Sequence, residues 1–185
     1  MFRIFLLLAV TVGLLACRSN DKVVGAWEIN DVYRSTIIST NPSNGAKTYQ
    51  GPPINTLDAA NTYEMFSLRA EQSKQGAKTY ELLVQLTYFS PWRYYESANL
   101  LNKPTNTFKV LAREAGVCEQ QGCVYKELMA IQITDAFLRE HMNKGFQVTI
   151  SSKTGVSSDL FVPAQYITGY LKAVDGSKNL SLIHI

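Results

Sequence analysis

Five apolar side chains at every second position, Tyr80, Leu82, Val84, Leu86 and Tyr88, alternate with Glu81, Gln85 and Thr87. Side chains alternate across the two faces of a strand, whereas a helix would scatter this set around its circumference. A strand with one apolar and one polar face belongs in an antiparallel sheet that covers a core on one side only. Residues 63–70 are similarly rich in aromatic and aliphatic side chains. Between the two runs, Gln72-Ser73-Lys74-Gln75-Gly76 reads as a hairpin loop.

Further strands are expected over residues 94–101, 107–113, 124–134 and 146–152. Residues 23–61 are rich in Asn, Pro, Ser, Thr and Gly, with turn signals at Asn41-Pro42-Ser43-Asn44-Gly45 and Gly51-Pro52-Pro53, so short strands and loops are expected there. Two helices stand out. Asp135 can cap a short one over residues 136–143, with Gly145 just beyond its end. Pro163 suits a first helical position, Tyr166, Ile167, Tyr170, Leu171 and Val174 form one apolar face, and Gly176 closes the helix. This helix could lie on a membrane, but Lys172 is the only charge on its polar face, which favours packing on the domain's own sheet. The fold class expected is mainly β: one antiparallel, sandwich-like or half-barrel domain over residues 26–179, with one short helix and one C-terminal helix packed on the sheet.

The N-terminus has a different character. Arg3 precedes an apolar run over residues 4–16 broken only by Thr11 and Gly13, the layout of a signal peptide. As a helix the run reaches about 20 Å, short of the roughly 30 Å of bilayer hydrocarbon. It ends in Leu14-Leu15-Ala16-Cys17, which resembles the lipobox of bacterial lipoproteins. The resemblance implies removal of residues 1–16, attachment of acyl chains such as palmitate at Cys17, and residues 17–25 as a lipidated tether. The competing reading is an ordinary secretory leader with an incidental cysteine. In lipoproteins of two-membrane bacteria, Asp directly after the cysteine favours the inner membrane. Here the residue is Arg18, which points to the outer membrane and a periplasm-facing domain, with the inner membrane or the cell surface as alternatives.

With Cys17 set aside, Cys118 and Cys123 remain as a pair in an oxidising compartment, where a disulfide is expected at a hairpin end. Redox chemistry would favour two intervening residues near a helix start, and zinc would need further ligands nearby. No metal or cofactor is therefore expected. The formal charge is only +3 with basic residues dispersed, which leaves no electrostatic footprint for nucleic acid.

Chemistry-bearing motifs are sparse. No G-x-S-x-G elbow, phosphate-cradling glycine loop or calcium-loop spacing occurs. His141, among Arg139, Glu140 and Lys144, reads as a solvated helix residue. Residues 180–185, Leu180 to Ile185, look like a translated sequencing adaptor, the competing reading being a genuine apolar strand, and on the adaptor reading His184 is not taken as catalytic. Glu96 and Glu127, both in expected strands, are the carboxylates to inspect for a glycosidase-like pair. Each is expected to face solvent or pair with a base. Trp92, Arg93, Tyr94 and Tyr95 form the one recognition-like cluster, since Trp and Tyr offer flat apolar area with a polar edge and Arg can stack or hold a carboxylate. The competing reading is that these aromatics fill the core.

Three functions are weighed: a non-catalytic envelope lipoprotein that binds or scaffolds an envelope protein or cell-wall partner; a hydrolase of cell-wall glycan or peptide; and an outer-membrane accessory of a secretion or surface-assembly complex. All three rest on the anchor. Metabolic labelling with a fatty acid is expected to mark the intact protein and not Cys17→Ser, and equal incorporation in both would remove the lipoprotein reading.

Overall fold

A computed structural model describes residues 27–57, 62–89, 91–105 and 107–176. The leader, Cys17, Arg18 and residues 180–185 lie outside the described residues. In chain order the elements are α1 (Ile29–Ser35), β1 (Ile37–Thr40), β2 (Lys47–Gln50), β3 (Ile54–Leu57), β4 (Tyr63–Gln72), β5 (Lys78–Phe89), β6 (Tyr95–Leu100), β7 (Lys103–Pro104), β8 (Phe108–Glu119), β9 (Gly122–Ile133), α2 (Asp135–His141), β10 (Phe146–Ser152), β11 (Ser157–Val162) and α3 (Ala164–Gly176).

The strands form two sheets, antiparallel throughout. A 7-stranded sheet runs β1-β2-β4-β5-β9-β8, with β3 also paired to β4, and a 4-stranded sheet runs β11-β10-β6-β7. Neither closes into a barrel, and the arrangement is sandwich-like, as expected. β5 is the spine of the large sheet. Tyr80, Leu82, Val84, Leu86 and Tyr88 are all buried, and register sets Leu82 between Leu68 and Ile131 and Val84 between Phe66 and Met129. Val148, Ile150, Leu160 and Val162 from the small sheet join the same core, as do the α3 residues Tyr166, Ile167, Tyr170, Leu171 and Val174. The apolar face of α3 therefore packs inside the domain. Among the described residues no helix is long and apolar enough to cross a membrane.

β2 and β3 are two halves of one line along β4, interrupted by Gly51-Pro52-Pro53. Proline has no N–H for the ladder, so the pairing must break there. Tyr166 of α3 repairs the break: its hydroxyl donates to the Pro52 carbonyl at 2.7 Å and accepts from the Leu68 N–H at 3.1 Å. Tyr170 donates to the Tyr49 carbonyl at 3.2 Å in the same manner. Burial pushes both phenols up, which keeps the protons these bonds require.

Several expectations are corrected. α1 falls where only strands and loops were expected. It buries Val32 alone and rests against α3 at Gly169, where a Cβ would meet the Val32 Cβ at 2.7 Å. So short a helix is held by this close approach rather than by its own propensity. β11 extends beyond the expected strands, with Ser158, Leu160 and Val162 inward. The cap of α2 is Thr134, whose hydroxyl accepts from the Phe137 N–H at 3.1 Å. Asp135, expected as the cap, instead accepts from Tyr80 and Arg139. Pro163 stands one place before α3, its carbonyl accepting from the Ile167 N–H.

Candidate functional site

β9 carries Glu127 on its core face, opposite Arg113 of β8 and beside Leu86 of β5. An inward-facing glutamate breaks the apolar alternation, and it is wholly buried. A buried charge is tolerated only when paired and hydrogen-bonded. Here Oε1 accepts from the Tyr88 hydroxyl at 2.5 Å, and Oε2 accepts from Arg113 Nε at 2.8 Å and from the Tyr95 N–H at 3.1 Å. Arg113 Nη2 also donates to the Tyr95 carbonyl at 2.8 Å. One residue at the start of β6 is thus gripped by both its amide and its carbonyl from the opposite sheet. Burial, followed by the bond to Glu127, pushes the Tyr88 phenol up, so Tyr88 remains the donor.

The link between β5 and β6 is shaped to reach this knot. Tyr94 adopts φ +55°, a left-handed conformation uncommon for a bulky side chain. On either side of it, the Arg93 N–H donates to the Tyr88 hydroxyl at 3.0 Å and the Tyr95 N–H donates to Glu127. Arg93 lies over the Tyr88 ring, 4.4 Å from its centroid, and donates from Nη1 to Thr62 Oγ1 at 2.6 Å and to the Tyr95 hydroxyl at 3.1 Å.

The recognition cluster read from sequence is therefore divided. Tyr95 belongs to the core, its hydroxyl 3.4 Å from Ser158 Oγ of β11, and Arg93 is half-buried with its three side-chain contacts internal. Tyr94 is exposed and Trp92 half-buried. The Trp92 ring stacks on Tyr94 at 5.7 Å and leans on Tyr125 at 4.2 Å, and the Arg113 guanidinium lies 5.4 Å from the Tyr94 centroid. The product is an aromatic shelf with a cationic flank. Tyr125 was not singled out in the sequence, although its place two residues before Glu127 on the same face of β9 was a usable signal.

The shelf sits at one end of the β8–β9 hairpin. At the same end of that hairpin, next to its turn, Cys118 and Cys123 are directly opposed in register, their sulfurs 2.06 Å apart and Cys123 two residues from Tyr125. The expected pairing is thus met in position and distance.

The other candidates separate from the site. Glu96 is exposed, on the opposite side of β6 from Tyr95, and pairs with Lys153 at 3.6 Å. Glu127 does pair with a base but is buried, so the two carboxylates do not share a cleft. His141, expected to be solvated, is 1% exposed. Its ring stacks on Phe137 at 4.1 Å and its Nδ1 donates to the Phe137 carbonyl at 2.7 Å, because positions 137, 138 and 141 form the helix face turned to the core. Among the described residues no group of His, Cys, Asp and Glu could hold a metal ion.

Compared with known proteins, the chain matches no family model, no curated protein and no solved structure.

Removing Glu127 leaves the Tyr88 hydroxyl and the Tyr95 N–H without their acceptor, at about 1–3 kcal/mol each, while Arg113, 35% exposed, can turn to water. Urea unfolding of Glu127→Ala is expected to show a loss of that order, while Glu96→Ala stays within about 0.5 kcal/mol of the parent. Similar small losses in both variants would mean that Glu127 is not structural.

Proposed function

We propose that the chain is a membrane-anchored envelope lipoprotein with a non-catalytic binding role, in which the Trp92–Tyr94–Tyr125 shelf holds a cell-wall partner. The anchor rests on the Leu14-Leu15-Ala16-Cys17 motif, and Arg18 favours the outer membrane with the domain facing the periplasm. The observation that carries the binding role is the contrast between Glu127 and its neighbours. The carboxylate is occupied by three internal donors, while Tyr94 is exposed and Trp92, half-buried, lies against both Tyr94 and Tyr125. A glycan or peptide chain offers C–H faces and polar edges of the kind such rings accept.

The hydrolase reading needs an accessible acid and a second carboxylate across one cleft. Glu127 is sealed and Glu96 points the other way, so this arrangement favours recognition over cleavage.

Co-sedimentation with purified cell-wall sacculi tests the reading. The full chain is expected to pellet with them, and Trp92→Ala to weaken retention about tenfold, or about 1.4 kcal/mol, as for a central aromatic contact. Equal retention of both proteins, or none of either, would count against the shelf as the binding surface.

A further inference from the structure

The face of the large sheet turned away from the core carries a second feature, unconnected with the shelf. Met65 of β4 and Leu128 of β9 lie in one cross-strand row with Gln85 between them, and Leu83 lies in the next row. Together with Ile37 of β1 and the Pro52-Pro53 wall they enclose an open groove of about 640 Å³. That is within the range of sites that take small ligands.

The lining is mostly apolar. Of its polar side chains, Gln50 donates from Nε2 to Ser67 Oγ at 2.7 Å, and Gln85 lies between Met65 and Leu128. Neither proline has an N–H, and the Pro52 carbonyl is already taken by Tyr166. The same bond fixes the wall from behind, so the groove is preformed. At its rim Ile37 is 66% exposed, an apolar side chain standing in water beside an apolar floor.

We propose that this groove seats one acyl chain of the lipid borne by Cys17 of the same molecule. The inference rests on the lipoprotein reading and extends it. A lining that is mostly apolar suits an apolar occupant, because a polar group placed there would exchange its water for few partners. The chain's own geometry supplies the occupant. Trp27, the first described residue, follows Cys17 by about ten residues, a reach of about 35 Å when extended. From there α1 advances about 10 Å and delivers Ser35 and Ile37 directly to the groove. A lipid held on so short a tether has an effective concentration on the order of millimolar at the groove, which free lipid in water does not approach. Seating one chain leaves the others for the bilayer and turns the β2–β4–β5 face toward the membrane.

The test compares the lipidated mature protein with the mature chain carrying Cys17→Ser, secreted behind an ordinary cleavable leader, using cis-parinaric acid as a fluorescent probe. Mass spectrometry of the Cys17 peptide is run alongside. The Cys17→Ser chain is expected to bind one parinarate, the lipidated protein at least tenfold less, and Leu83→Glu or Met65→Lys placed in the Cys17→Ser chain to lose binding while keeping its circular dichroism. An acylated Cys17 with equal parinarate binding by both proteins would overturn the docking alone. Absence of binding by the Cys17→Ser chain would do the same. An unmodified Cys17 would overturn the anchor and the docking together.

Discussion

An ion pair in the large sheet, Glu127 with Arg113, holds the first residue of the small sheet in place. Glu127 and Arg113 belong to adjacent strands of the large sheet, and between them they hold the amide and the carbonyl of Tyr95, the first residue of the small sheet's β6. Apolar packing presses the layers together without fixing their register, because dispersion and hydrophobic contact are non-directional. Hydrogen bonds donated to a buried carboxylate supply direction. The price is desolvation of a charge, offset only because Tyr88, Arg113 and the Tyr95 amide all converge on it. Two consequences reach the surface. The β5–β6 link is drawn into a left-handed turn at Tyr94, which leaves the Tyr94 ring exposed, stacked on Trp92, while Tyr95 enters the core.

Much of this architecture is legible in the sequence. The period-two pattern from Tyr80 to Tyr88 marks the central strand with its correct inner face, since alternation across a half-buried sheet leaves few other readings. The face of α3 is equally clear, because Tyr166, Ile167, Tyr170, Leu171 and Val174 recur at helical spacing. The cysteine pair is placed by the strands on either side of it. In each case the signal is local and repeated several times.

What escapes the sequence depends on partners distant in the chain. α1 exists because Gly169 lets it approach α3, which its own seven residues do not disclose. His141 looks solvated because its sequence neighbours are charged, yet its helical neighbours Phe137 and Leu138 carry it into the core. Glu127 looks like any strand carboxylate until Tyr88 and Tyr95 are seen closing over it. The aromatic run from Trp92 to Tyr95 divides between surface and interior at a backbone turn that no composition rule foretells. The outer groove is hidden for a related reason: Met65, Leu83 and Leu128 occupy the side of their strands that reads as solvent-facing, and only register makes them neighbours.

If the Glu127 knot is what joins the layers, its loss should loosen the junction before it loosens either sheet. Native-state hydrogen exchange on Glu127→Gln measures this directly. The account predicts that the Tyr95 amide loses protection by a large factor while Val84, at the centre of the large sheet, keeps nearly all of its own. An equal fall at both positions, or an unchanged Tyr95, would contradict it.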